Sequence, residues 1–361
     1  MTKRILVYFI IIFFCYSSSS QIDQRQGDHG DLPQMSYEDA GFHMDSIQRL
    51  AQLIRNTPPN DFRGVVVLKE DHIVIEDYFH TFWRNTIHDV RSAGKSITAL
   101  LIGVAIQEGL IENINQDVYS FFQEADYPFM RKDFQQIQLR HLLDMSSGLD
   151  ADTNDPRSKG HVGHWINKDS WKSFLLQVPT IHKPGTKWVY ADINAVLLGA
   201  VIEEVTGKSL KDYAREKLFD PLGIREFYWY ANESNETGGA GNLYLTTLDF
   251  AKMGLLVLNK GMWNGSQIIN PDFIDRIFER TFDISHDSPF ADSYGTMWYK
   301  ARRTFGGKSF EYIFASGNGG NHLVVIPAKS MVIALTSSAY GPGLGHRRSY
   351  NIMGKILESL K

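Results

Sequence analysis

Cysteine is almost absent: the 361-residue chain has one, Cys15. A lone thiol excludes an internal disulfide and a cysteine zinc site, and removing residue 15 with a leader would exclude a thiolate nucleophile. Basic clusters are missing too. Lys and Arg number 37 against 41 Asp and Glu, giving a formal charge of −4. Nucleic acid is not an expected partner, because phosphate contacts need clustered cations. Beyond the first twenty residues no long apolar run occurs, and apart from the serines at 17–20 there is no repeat or low-complexity tract. Apolar residues at 43% and charged residues at 22% rule out wholesale disorder and collagen-like or coiled-coil chains. No glycine loop followed by Lys-Ser or Lys-Thr offers a phosphate cradle.

The N-terminus carries an export signal. Lys3 and Arg4 precede the apolar residues 5–15, and Ser17-Ser18-Ser19-Ser20-Gln21 follow. A positive start, a short apolar centre and small residues read as a signal peptide over residues 1–20, cut after Ser20. The run is too short to span a bilayer. Lipidation of Cys15 is the rival reading, but Ile12-Phe13-Phe14 ahead of it are not the small residues such a site uses. Membrane contact is expected only with that lipid. Cleavage removes two positive charges, leaving 35 − 41 = −6. The expected location is the periplasm or the medium, and without disulfides stability must come from core burial.

Residues 21–42 are polar and read as a leader; residues 43–361 form the expected domain. Ile47, Leu50, Leu53 and Ile54 recur at helical spacing over residues 45–55. Residues 64–68 and 73–79 are β-branched runs joined by Glu70-Asp71-His72, a hairpin pattern. A buried helix is expected over 92–108, with Gly109 as its stop. Helices are also expected over 195–205 and 248–258, with Thr246 and Asp249 as a capping pair. Strand character returns at 296–300, 310–315, 322–326 and 331–336, and a helix closes the chain at 350–360. Strands and helices segregated in this way predict an α+β fold with a mostly antiparallel sheet, since short turns cannot make parallel crossovers. The sheet part is expected over about 43–110 and 290–361, with a helical subdomain at about 111–289.

Ser92-Ala93-Gly94-Lys95 is the first chemical signal. Three residues apart on a helix, the hydroxyl and the amine share a face. A serine attacks only when a base takes its proton, and an amine in an apolar pocket can do so. The helix start adds unpaired N–H groups suited to an oxyanion.

The stretch Val90-Arg91-Ser92-Ala93-Gly94-Lys95-Ser96-Ile97-Thr98 resembles the nucleophile box of the serine β-lactamase and penicillin-binding-protein superfamily. The similarity is to its class C-like branch, which includes esterases and nylon-oligomer hydrolases. Residues 140–149 (Arg-His-Leu-Leu-Asp-Met-Ser-Ser-Gly-Leu), 218–223 (Leu-Phe-Asp-Pro-Leu-Gly), 241–249 (Gly-Asn-Leu-Tyr-Leu-Thr-Thr-Leu-Asp) and Ser316-Gly317-Asn318-Gly319-Gly320 resemble the same branch in the same order. The resemblance spans roughly residues 60–358. It implies a β-lactamase/transpeptidase-like fold: a mostly antiparallel sheet flanked by helices, an inserted helical subdomain, and a site between them.

It also implies roles. The family's Tyr-x-Asn box is matched by Tyr190-Ala191-Asp192, ahead of a helix as in the family; Tyr230-Ala231-Asn232 fits the letters but stands in the wrong place. Tyr190 would exchange protons with Ser92, its phenol drawn down by the Lys95 ammonium. Asp192 replaces the usual Asn, and a carboxylate accepts hydrogen bonds but cannot donate one. The expectation is that Asp192 keeps Lys95 charged and orients it, with Tyr190 as main base. The third box aligns as Asn318-Gly319-Gly320, with the Asn321 N–H and the Ser92 N–H as oxyanion donors. Asn318 lacks the cation that penicillin-binding enzymes use for a substrate carboxylate. His322, Arg302 and Arg303 are the remaining candidates for that charge.

Other features carry less. His161 and His164 have metal-like spacing but too few companions for zinc, so no metal is expected. His141 reads as structural, Trp165, Trp171 and Trp188 as packing or pocket lining, and Glu203 and Glu204 as a solvated helix face. The sequence thus predicts an exported serine hydrolase that cleaves a small-molecule ester or amide through an acyl-enzyme on Ser92, without a cofactor. A D-amino-acid peptidase or β-lactamase is the alternative with the same chemistry. A penicillin-recognising binding or sensor domain is the alternative without it.

Overall fold

The structure, a computed structural model, describes residues 32–341 and 343–361. The expected signal peptide, residues 1–20, and residues 21–31 of the expected leader lie outside the described residues. The remainder of the leader is docked: Gln34 bridges Ile73, and Phe42, 1% exposed, bridges Leu360.

Eight strands build one sheet. They are β1 (Phe62–Lys69), β2 (His72–Tyr78), β3 (Phe282–Asp283), β4 (Ser293–Gly295), β5 (Trp298–Phe305), β6 (Lys308–Gly317), β7 (Asn321–Ile326) and β8 (Met331–Ser337). Their order is β2-β1-β8-β7-β6-β5-β4-β3, and every pairing is antiparallel. The N-terminal hairpin therefore pairs with the last strand of the C-terminal meander. Glu70 and Asp71, at φ 52° and 61°, make the two-residue turn whose twist suits a tight hairpin. Strands β7 and β8 are buried along their whole length, as expected of central strands covered on both faces.

Helices cover the sheet. One face carries α4 (Thr247–Leu258), packed on β8, β7 and β1. The expected cap is present: the Thr246 Oγ1 accepts from the Asp249 N–H at 3.0 Å, holding a donor the helix start would leave unpaired. The C-terminal helix α5 (Leu344–Glu358) packs on β5, β7 and β8 and against α1 (Met44–Asn56). Helix α2 (Gly94–Gln107) is buried from Gly94 to Ala105 and packs against α3 (Asp192–Thr206). Between β2 and β3 the chain is mainly helical, with a small three-stranded sheet of His88–Asp89, Leu243–Leu245 and Tyr228–Trp229. Among the described residues no helix is long and apolar enough to cross a membrane.

Candidate active site

Ser92 lies in a 3-10 turn, Arg91–Ala93, that leads into α2. The turn is half-exposed at Ser92 while Lys95, one helical turn on, is 1% exposed. A buried ammonium must be paired, and Lys95 is. Its Nζ meets Asp192 Oδ1 at 2.7 Å and donates to the Ala240 carbonyl at 2.8 Å. It also sits 5.0 Å from the centre of the Tyr190 ring.

Tyr190 and Asp192 are delivered by the chain entering α3. The Val189 N–H donates to the Met145 carbonyl at 2.8 Å, and the Thr153 N–H donates to the Tyr190 carbonyl at 3.0 Å. The Asp192 N–H donates to Thr153 Oγ1 at 2.9 Å. Asp192 is the first residue of α3, where the helix dipole favours a negative charge. Tyr190 shares side-chain hydrogen bonds with Ser92 and with Tyr299. The structure therefore brings together Ser92, Lys95, Tyr190 and Asp192. Tyr230 instead lies against Trp171, ring centres 5.9 Å apart.

The electrostatics differ from expectation at Tyr190. Its phenol is pushed up, not down, by burial first and by the Asp192 carboxylate second; the Ser92 and Tyr299 hydrogen bonds oppose both. The Tyr299 hydrogen bond lowers the Tyr190 phenol and raises the Tyr299 phenol. Tyr299, at the start of β5, went unrecognised in the sequence. Its ring is stacked on Phe314 (5.1 Å) and edge-on to Tyr294 (4.7 Å), and Tyr294 in turn touches Trp188 (5.7 Å) and Tyr190 (6.4 Å). Trp188 is thus part of the aromatic wall beside Tyr190, whereas Trp165 and Trp171 are core.

The third box is displaced from its expected register. Gly306 and Gly307, at φ 55° and 76°, form the two-residue turn between β5 and β6, which closes on a hydrogen-bonded pair, Phe305 and Lys308. Hydrogen-bonded and non-bonded pairs alternate, so Tyr299 and Phe314 are again a bonded pair. Even-numbered residues of β6 turn their N–H groups toward β5, odd ones toward β7. Pairing with β5 ends at Phe314. Ser316 and, one step past the strand, Asn318 thus aim their N–H groups where β5 no longer stands. Asn321 faces Gly317 across β7 and β6, so its N–H points into the ladder and not into the cleft. Its fully buried amide takes the Ser337 N–H at 3.0 Å and donates to the Asn318 carbonyl at 2.9 Å.

Gly317 is the strand residue in contact with the nucleophile turn. A Cβ there would lie 2.0 Å from the Val90 carbonyl oxygen and 3.2 Å from the Ala93 nitrogen. Ala315, two residues back, shares that face. The strand segment at the site is therefore Ala315–Gly317, while Asn318, Gly319 and Gly320 form the turn into β7. A methyl group stands on the face that meets Ser92. The other cations considered are elsewhere: Arg302 pairs with Glu311 (2.8 Å) and Arg303 with Asp292 (2.5 Å). His322 is buried against His346, 3.0 Å between ring nitrogens, and burial drives it down to about 3.

Among the described residues no group of three or more His, Cys, Asp or Glu could hold a metal ion. His161 Nδ1 accepts the Gly163 N–H at 3.1 Å, and the His164 ring meets the Pro156 carbonyl at 3.0 Å. His141 Nδ1 accepts the Gln138 N–H at 3.0 Å in a capping box. Glu203 and Glu204 are not a solvated face. Both pair with Lys172, at 3.4 and 3.1 Å, and Glu203 also takes the N–H groups of Leu210 and Thr237.

Known structures share this fold at low identity. A penicillin-binding protein homologue from Caulobacter crescentus superposes with a TM-score of 0.70 at 16% identity, covering 88% of this chain and 97% of that one. A D-stereospecific amidohydrolase from Streptomyces gives 0.63 at 18%, covering 87% and 98%. These show the fold. In sequence, a lovastatin esterase from Penicillium rubens is 25% identical over 238 residues, 52% of this chain and 58% of that protein. Relatives at this distance are named as an esterase and an amidohydrolase, and the chain spans little more than half the length of that esterase. A family model described as Beta-lactamase matches residues 50–354, and the chain belongs to that family.

Proposed function

We propose that the protein hydrolyses an ester or an uncharged amide through an acyl-enzyme on Ser92. The observation that carries the reading is the convergence of Ser92, Tyr190, Lys95 and Asp192, with Tyr190 hydrogen-bonded to the serine hydroxyl. The Ser92 oxygen attacks the carbonyl carbon as its proton passes to the Tyr190 oxygen. Tyr190 then gives that proton to the leaving alcohol or amine. Water, deprotonated by the same phenolate, attacks the acyl carbon and frees Ser92.

Lys95, held in place by Asp192 and the Ala240 carbonyl, stands 5.0 Å from the centre of the Tyr190 ring and positions it. The oxyanion is received by the Ser92 N–H and, in place of Asn321, the Asn318 N–H. The methyl of Ala315 where the sheet meets Ser92 offers no cation to the carboxylate of a β-lactam, which supports esters and simple amides over β-lactams. The lovastatin esterase supports the ester reading by analogy.

A fluorophosphonate probe together with p-nitrophenyl esters, p-nitroanilides and a chromogenic cephalosporin tests this, with Ser92→Ala as blank. Ester or anilide turnover and labelling, both lost in Ser92→Ala, are expected. Turnover of the cephalosporin alone would favour a β-lactamase. Neither labelling nor turnover would leave a binding domain.

A further inference from the structure

Arg91, the residue before the nucleophile, has φ 54°, a left-handed conformation that costs a non-glycine residue about 1 kcal/mol or more and persists where surrounding contacts enforce it. Those contacts are specific. The Arg91 N–H donates to Asp89 Oδ1 at 2.8 Å, and its Nε meets Asp89 Oδ2 at 3.1 Å. Asp89 is buried, and Asn242 Nδ2 holds it from the other side at 3.4 Å. The guanidinium lies over the Tyr340 ring, 4.6 Å from its centre. Tyr340 in turn covers the turn after β6: a Cβ on Gly319 would fall 2.9 Å from that ring. The guanidinium is thus held by its ion pair with Asp89 and on one face by Tyr340, while the side chain remains 40% exposed.

A planar cation held this way presents its remaining N–H groups in a fixed fork, the geometry that matches a carboxylate. Its neighbours are Asp89, Tyr340 and Asn242, none of which touches the Tyr190 cluster. The leaving group must lie at Tyr190 to receive its proton, while Arg91 stands by Tyr340 and the Gly319 turn past Asn318; the acyl arm is the one left to reach it. The strand supplies no cation for it, since Ala315 stands there, and Arg302, Arg303 and His322 are engaged elsewhere.

We propose that Arg91, seated on Tyr340, is an acyl-arm subsite that selects acyl chains ending in a carboxylate. The proposal rests on the hydrolase reading above. The test compares p-nitrophenyl hexanoate with the mono-p-nitrophenyl ester of adipic acid, equal in chain length and differing in a terminal methyl or carboxylate. Turnover of either by the wild type, absent in Ser92→Ala, bears on the hydrolase reading alone. The readout for Arg91 is the ratio of kcat/KM values, carboxylate over methyl. Arg91→Gln is expected to lower that ratio about tenfold or more, the loss of a charged hydrogen-bonded pair. Arg91→Lys should restore part of it, and 0.5 M salt should depress the wild-type ratio. A ratio unchanged in Arg91→Gln, or equal losses on both esters that Arg91→Lys does not mend, would overturn the subsite and leave Arg91 a structural brace.

Discussion

Tyr299→Phe isolates one hydrogen bond at the site. The ring keeps its stack on Phe314 and its edge contact with Tyr294, so packing changes little. What goes is the Tyr299 hydroxyl, whose hydrogen bond lowers the Tyr190 phenol. A hydrogen bond to a charged group is worth about 1.5–3 kcal/mol. At about 1.4 kcal/mol per pH unit, the Tyr190 phenol should rise by about one to two units.

Burial and Asp192 already hold that phenol above its ordinary value, so the phenolate is a minority form at neutral pH and the wild-type rate should climb through the alkaline range. In Tyr299→Phe the whole rise should lie about one unit or more to the alkaline side, a parallel displacement across the range. At pH 7, kcat/KM should fall ten- to hundredfold while KM stays nearly constant, because the lost bond serves a proton and not the substrate. The assay is kcat/KM from pH 6 to 10 on one neutral ester, with Ser92→Ala subtracted as background. A profile that overlays the wild type would refute the reasoning. So would a wild-type rate that stays flat from pH 6 to 10, since the phenolate fraction must rise throughout that range.

Other perturbations test neighbouring parts. Asp192→Asn removes a carboxylate that raises Tyr190 and the counter-ion of buried Lys95; the acidic limb of the pH–rate profile should move to lower pH, and chemical denaturation should show a loss of about 3 kcal/mol. Gly317→Ala places a methyl against the Val90 carbonyl; β6 must back away from Ser92, and kcat should fall about a hundredfold with the circular dichroism spectrum unchanged, as for a lost oxyanion donor. Burial lowers His88 to about 4 and His322 to about 3. Both take up protons near pH 6.5 when unfolded, so stability is complete above that value. It declines as pH falls toward the folded values, by about 1.4 kcal/mol per unit for each histidine. Melting temperature against pH should show the decline between 6.5 and 4, and a His322→Asn variant a shallower one.

The fold was legible because its local signals agree. The hairpin at 62–78, the capped helix from Thr247 and the four-strand meander each carry period, turn and cap pointing one way. What stayed hidden was short or set by distant partners. Strands β3 and β4 are two and three residues long, too brief for any alternation to register. The leader's second half looked unstructured because its polar composition hides Phe42, a single large apolar residue that finds Leu360 at the far end of the chain. Glu203 and Glu204 read as solvated because Lys172, which neutralises them, comes from a separate helix.

The site divides the same way. Ser92, Lys95, Tyr190 and Asp192 were legible as two short boxes whose internal spacing is covalent. The third box was misregistered because glycine letters were counted where strand parity decides. Asn318-Gly319-Gly320 looks like a substrate-facing strand, yet positive φ values at both glycines bend it into a turn. The signal that would have placed it was available: Gly306-Gly307 is a two-residue turn, and counting in twos from Lys308 puts Ala315 and Gly317 on one face and aims the Asn318 N–H outward. The same count across the turn pairs Tyr299 with Phe314, at the last rung before β5 ends. A tyrosine at the last rung beside an open strand edge stands next to whatever that edge serves. Tyr299 is therefore a consequence of register, as the oxyanion donor is, and a two-residue shift in either strand would remove both from the site together.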